Sequence, residues 1–392
     1  LMNYILLDGP FRQALLPFTY TRPVAELRVG GLTIKQKWER SLKDTVLVHT
    51  QDYLTRLFPL DKAQDNIWIN AGVLPSKVLI EVLKALEIDQ ALYHGDVLVA
   101  YRSANYKEDS QDQLTSIMFS GGDLNFIQNT WDIFAHNPRE IANDISLLKN
   151  DAPSEALPDS VQAIAPEHIY VAKGAQMTFC TMNASEGPIY IGKNVTIMEG
   201  AMLRGPLFIA EGAVVKMGAK LYGGTTIGPY CKVGGEISNS MLMGYSNKGH
   251  DGYLGNSVIG FWCNLGANTN TSNLKNNYDP VRLWDYKTGL FAQTGLEFCG
   301  LMMGDHSKSA IGTMFNTGSV VGVSANIFGS GFPRNFIPSF SWGGAAGLTT
   351  YGLEKACLTA QRVMSRRSID WTDHDQALFL SLFEQTKVYR KD

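Results

Sequence analysis

An aliphatic residue returns at every sixth position over Ile191, Ile197, Leu203, Ile209, Val215, Leu221, Ile227 and Val233. Strands repeat every two positions and helices about every 3.6, so a period of six needs a backbone that turns a corner after each short strand and points one aliphatic side chain inward each time. A parallel β-helix does this: three hexads make a coil of roughly eighteen residues, and coils stack at about 4.8 Å. Strands of a sandwich would alternate instead. The repeat region runs from about Ile169 to Ile337 and departs from strict hexads twice. Because the period resumes at Ile259 and Leu265, Ser240 to Leu254 is expected to bulge from the coil or bend its corner, and Tyr278 to Glu297 forms a long excursion.

On either side the pattern changes. Apolar runs at Tyr4 to Leu7, Val46 to His49, Ile67 to Asn70 and Val97 to Tyr101 alternate with helical periodicity at Pro75 to Leu86 and Trp131 to Leu148, which predicts a layered α/β domain over residues 2–150. The polar, proline-bearing stretch 151–168 reads as a linker to the β-helix domain, 169–343. Amphipathic stretches at Leu353 to Arg367 and Asp373 to Lys387 predict a helical tail, 344–392, that packs on the open end of the coil stack.

Composition narrows the class. A chain of 392 residues supports two cores, and a formal net charge of −3 offers no footprint for nucleic acid or an acidic membrane. Five cysteines, odd in number and without a C-x-x-C pair, argue for reduced thiols and a cytoplasmic setting rather than a disulfide framework or a zinc ribbon. No signal peptide is expected before Asn3, and no apolar run reaches the roughly eighteen residues of a membrane span.

The first departure from hexads carries His250, a side chain suited to accept a proton from an attacking amine. Glu236, near the preceding corner, is placed to orient the ring or stabilise its charged form. Read alone, His250 is better explained as a turn residue. Its surroundings add more: Lys-Gly-His-Asp-Gly-Tyr-Leu-Gly-Asn over 248–256, Leu-Gly-Ala-x-Thr-x-Thr-x-Asn-Leu-Lys over 265–275, Pro-Val-Arg over 280–282 and Met-Gly-Asp-His-Ser-Lys-Ser over 303–309. These resemble the acetyltransferase half of the bifunctional glucosamine-1-phosphate N-acetyltransferase / N-acetylglucosamine-1-phosphate uridylyltransferase family, nearest its bacteroidete and archaeal-type branches. The resemblance implies a left-handed β-helix, a homotrimer, and a cleft between subunits where acetyl-CoA meets an amino sugar phosphate.

Carried over residue by residue, the resemblance gives His250 as general base, Glu236 as its paired acid, and Tyr253 as the family's tyrosine beside the base. Asn264 and Asn273 fall on asparagines that bind sugar or orient the amine. Arg204 falls on the arginine that grips the sugar phosphate, a task suited to a planar guanidinium. A lysine expected two residues after the acid is Ser238 here, and Lys275 or Arg282 is the expected replacement. His306 invites comparison with γ-class carbonic anhydrases, but the repeat region offers only His250 and His306, with His168 at its entrance, and no pair at the spacing of those zinc ligands. No metal is therefore expected in the β-helix.

The N-terminal domain resembles sugar nucleotidyltransferases more loosely. Its first strand runs into Asp8-Gly9-Pro10-Phe11-Arg12, where a glycine-rich phosphate loop belongs, and Arg12, Arg22 and Arg28 are candidate cations for a nucleotide such as UTP. The family's magnesium-binding aspartate falls on Asn70, a poorer Mg2+ ligand than a carboxylate. Thr130-Trp131-Asp132 with Asn137 resembles the helix after the sugar site. Three readings stay open for this domain: a reduced enzyme making a nucleotide sugar such as UDP-N-acetylglucosamine, a nucleotide or sugar binding module, and a relic. For the whole chain the expectation is an acetyl-CoA-dependent N-acetyltransferase acting on glucosamine 1-phosphate. The alternative is a nucleotidyltransferase or sugar-nucleotide binding protein whose β-helix is only an oligomerisation or regulatory platform.

Overall fold

A computed structural model describes residues 2–60, 65–107 and 113–390, so the last two residues of the tail lie outside it. The chain forms two compact units: residues 1–15, 21–28 and 32–129 make the first, and residues 16–20, 29–31 and 130–392 the second.

In the first unit Met2–Leu7 lies parallel to both Val46–His49 and Asp65–Asn70, and Val97–Arg102 continues the sheet antiparallel. Gln90–His94 and Thr115–Met118 complete six strands. Helix α1, Ile34–Leu42, starts at a capping box in which Thr33 and Gln36 exchange side-chain and backbone hydrogen bonds, and α2, Lys77–Ala85, is capped by Ser76. Ile5, Trp68, Ala91 and Tyr101 fill part of the core.

The second unit is the predicted parallel β-helix. One face stacks nine strands from Ile169–Val171 to Phe336–Ile337. A second stacks strands from Gln176–Met177 to Ser341–Gly344 and ends in the antiparallel Gly347–Thr350. A third stacks six, from Gln162–Ile164 to Tyr253–Gly255. The aliphatic column is continuous: Ile191 pairs with Ile209 and Ile209 with Ile227, all buried. Each such side chain contributes roughly 1.5–3 kcal/mol by leaving water, which is why the period tolerates so few misses.

The expected bulge at Ser240 to Leu254 is absent. Ile209 pairs with Ile227 eighteen positions on, but Ile227 pairs with Leu242 only fifteen on, and Val233 with Lys248 likewise. Two hexads, ending at Ile237 and Leu242, are shortened to four and five residues, so the coil contracts at its corners and its strands stay in register. The excursion does form: after Asn270–Thr271 the chain makes a hairpin of Arg282–Asp285 with Leu290–Gln293 and rejoins the coil at Leu301–Met303, beside Val258–Phe261.

Helix α3, Asp132–Leu148, packs on the first face of the coil. Its buried Asn137 Nδ2 donates to the Gly224 carbonyl at 2.7 Å, while Gly30 N donates to Asn137 Oδ1 at 2.7 Å and Gly31 N to Asp144 at 2.8 Å. Sequence periodicity places this helix in the α/β domain, as the helix after a sugar site; its contacts are with the β-helix. The tail forms α4, Leu353–Ser365, and α5, Asp373–Gln385, whose Phe379 ring packs edge-on against His306 and Phe340.

Candidate functional site

The third face gathers the polar residues. Strand register sets Lys220 beside Glu236 and Glu236 beside Tyr253. The Tyr253 hydroxyl accepts from Asn273 Nδ2 at 3.1 Å, and the same amide donates to Asn256 Oδ1 at 2.9 Å. Gly255 makes this possible, because a Cβ there would fall 2.4 Å from the tyrosine oxygen. Burial raises the Tyr253 pKa and the nearby Glu236 charge adds to that, while the Asn273 hydrogen bond opposes it. The hydroxyl therefore stays protonated at neutral pH and can donate to a ligand. His250 stands exposed on the corner leading into this strand, three residues before Tyr253.

Beneath that corner lies a group the sequence did not single out. Lys248 occupies an inward rung, 1% exposed, and its Nζ donates to the carbonyls of Gly234 at 3.0 Å and His250 at 2.7 Å. Burial pushes its pKa down to about 8. In the unfolded chain the amine keeps its ordinary value, so the burial penalty is complete below pH 8 and fades as pH rises toward the unfolded value. Wild-type stability is therefore expected to climb between about pH 8 and 10, by roughly 3 kcal/mol at most, relative to Lys248→Met. Denaturant titrations of both proteins across that range measure the difference, and parallel pH profiles would refute it.

Arg204 lies on the same face, three strands from Tyr253 or about 14 Å at ordinary strand spacing. It is exposed, pairs with Glu186 at 3.3 Å, and shares a groove of about 460 Å³ with Asn183, Lys220 and Tyr222. Lys220 is thus the lysine nearest Glu236 in register, a position sequence reasoning missed because Lys220 and Glu236 are far apart in the chain and meet only through coil length. Asn264 is not part of this cluster: it lies on the second face, beside Asn247, whose amide donates to it at 3.4 Å. Lys275 and Arg282 are gathered instead with Arg334, Trp284 and Phe336 in a pocket of about 560 Å³, and Lys275 Nζ donates to the Pro280 carbonyl at 2.9 Å. His306 is a buried corner residue in line with the Trp262 ring, 6.2 Å away. All five cysteines are buried outside any disulfide, with the Cys263 thiol pushed up to about 12 by burial, so none is a ready nucleophile.

In the first unit Gly9, with φ +64°, follows the first strand as expected. Arg12 is committed to its neighbours: Nε lies 3.3 Å from Asp8, and a terminal nitrogen donates to the Tyr53 hydroxyl. Arg22 and Arg28 flank Glu26, whose carboxyl is raised by burial against their opposing charges. Asn70 is 4% exposed, with Oδ1 accepting from Gly72 N at 3.0 Å and Nδ2 donating to the Leu98 carbonyl at 3.1 Å. That closed amide does not suit Mg2+, and among the described residues no three His, Cys, Asp or Glu side chains gather as a metal site.

The fold defines a nucleotidyltransferase-like domain followed by a parallel β-helix, and the family comparison agrees for the first of these. The sugar nucleotidyl transferase family model matches residues 4–153. The chain is similar to the bifunctional protein GlmU of Methanocaldococcus jannaschii, 34% identical over 87 residues, which are 22% of this chain and 21% of that protein. It is also similar to GlmU of Methanococcus vannielii, 36% identical over 92 residues, 24% of this chain and 22% of that one. The chain spans about a fifth of the length of the curated relatives it matches. Among solved structures, Arabidopsis UDP-N-acetylglucosamine acyltransferase is 15% identical over 59% of this chain and 91% of its own with a TM-score of 0.21. PerB of Caulobacter crescentus, solved with CoA and GDP-perosamine, is 10% identical over 89% and 97% with a TM-score of 0.15. The fold assignment rests on the strand pairing, not on these two. No helix among the described residues is long and apolar enough to cross a membrane.

Proposed function

We propose that the chain is an acetyl-CoA-dependent N-acetyltransferase whose acceptor is an amino sugar phosphate, with glucosamine 1-phosphate as the expected substrate. The observation that carries this reading is the third-face row in which Lys220, Glu236 and Tyr253 lie side by side, with Asn273 on the tyrosine hydroxyl and His250 at the adjoining corner. In this reading His250 takes the proton from the free amine as the amine attacks the thioester carbonyl. Glu236 stabilises the imidazolium that results, and the Tyr253 hydroxyl and Asn273 orient the sugar. CoA leaves as the thiol, and no enzyme-bound acyl group forms. Arg204 and Lys220 hold the phosphate in the groove they share, while Lys275 and Arg282 supply further cations from the pocket they share. Asn264, one face away, acts on the part of the cleft that a neighbouring subunit of a homotrimer would complete.

Arg204→Ala is expected to raise KM for the sugar phosphate about tenfold or more with kcat little changed, since an arginine gripping phosphate contributes to binding before and during the reaction. Steady-state kinetics with glucosamine 1-phosphate and unphosphorylated glucosamine check this; equal KM values in wild type and variant would remove Arg204 from the site. Acetyl transfer from acetyl-CoA, assayed across amino sugars with and without the 1-phosphate, tests the reading as a whole. Transfer to none of them would favour the platform alternative.

The match of residues 4–153 to sugar nucleotidyl transferases favours a second activity, transfer of a nucleotidyl group from UTP or another nucleotide to the acetylated sugar phosphate. Pyrophosphate release from UTP and N-acetylglucosamine 1-phosphate tests it. Release that depends on Arg12 or Arg22 is the expected result, and no release with any nucleotide would favour the relic.

A further inference from the structure

The inner wall of the coil is aliphatic at nearly every rung, yet in the column of Val215, Val233 and Leu265 on the second face position 248 holds a lysine. Valine or leucine would fill that rung without taking an ammonium out of water, so packing gives no reason for it. What the lysine adds is reach. Its Nζ donates to the carbonyls of Gly234 and His250, which belong to successive corners between the second and third faces. One corner carries His250 and the other leads within two residues to Glu236. Gly235, at φ +70°, leaves the room: a Cβ there would fall 2.8 Å from Nζ.

We propose that Lys248 is a positioning residue for acetyl transfer: from inside the coil it fixes the His250 carbonyl against that of Gly234, and so sets where the imidazole stands relative to Glu236 and Tyr253. The catalytic consequence rests on the acetyltransferase reading; the clamp itself does not. Without the ammonium the corner keeps its backbone bonds further on, from Asn268 N to the Asp251 carbonyl at 2.9 Å and from Glu236 N to the Gly252 carbonyl at 3.2 Å. The coil persists, and the His250 end of the corner is released.

Lys248→Met, similar in length and apolar, tests this in the full chain through two readouts. The first is kcat and KM with acetyl-CoA and glucosamine 1-phosphate. The second is the rate at which diethyl pyrocarbonate modifies His250 without substrates, followed by peptide mass spectrometry with exposed His168 as internal reference. The expected result is a fall in kcat of about ten- to a hundredfold with both KM values nearly unchanged, as displaced catalytic groups give. His250 modification shifts about threefold or more, and His168 does not. Wild-type kcat together with an unchanged His250 rate overturns the proposal. If wild type acetylates no amino sugar while the His250 rate still shifts, the clamp stands and the acetyltransferase reading falls. Should the methionine variant not fold, Lys248→Gln, whose shorter amide reaches one carbonyl, is read by the same two measures, and wild-type values in both overturn the proposal.

Discussion

His250→Ala is expected to lower acetyl transfer by about two to four orders of magnitude, the usual contribution of a general base, while leaving the β-helix folded. The side chain is exposed at a corner, so its removal opens no cavity, and the buried aliphatics of the neighbouring strands, Leu242, Leu254 and Ile259, are untouched. KM values should change little, because the imidazole acts on the proton that moves in the transition state rather than on bound substrate. CoA release with thiol detection, alongside a thermal melt, checks both halves. Activity within tenfold of wild type in a folded variant would take the base role away from His250.

Gly252→Ala is expected to act on the same corner through the backbone. Gly252 has φ +126°, where a side chain is strained, and an added Cβ would fall 2.1 Å from the Thr269 carbonyl of the next coil. That carbonyl belongs to the stacked backbone and cannot swing aside as a flexible side chain would. Either the corner opens or the coils separate locally, at about 2–4 kcal/mol, which corresponds to a drop of roughly 5–15 °C in thermal midpoint for a domain of this size. Because Gly252 lies between His250 and Tyr253, acetyl transfer should fall with it. A melting temperature within a degree of wild type would mean that the corner relaxes freely and that its geometry is less fixed than the contacts imply.

Most of the β-helix was legible because its signal is repeated: every inward aliphatic from Ile191 to Val233 is a separate vote for the same geometry, and each is buried. The shortened coil was not. Counted along the chain, lost residues at two corners look the same as a bulge, and only stacking distinguishes them, through Ile227 meeting Leu242. The same contraction hid Lys220 beside Glu236 and the inward direction of Lys248, since a lysine on a hexad rung reads as an interruption of the pattern rather than a member of it. Asn264 followed the motif but stands before its corner rather than after it, which puts it on the neighbouring face. In the first unit α1 and the strands Gln90–His94 and Thr115–Met118 were missed, being short and of mixed polarity. Helix α3 was found, but nothing in its periodicity says which core receives its apolar side.

The most direct measurement is a crystal structure with CoA and glucosamine 1-phosphate bound together. The account predicts the sugar amine within about 2.6–3.2 Å of a His250 ring nitrogen, directly or through one water, with the phosphate on the Arg204 and Lys220 side of Tyr253. A sugar bound elsewhere, with His250 facing solvent, would contradict it.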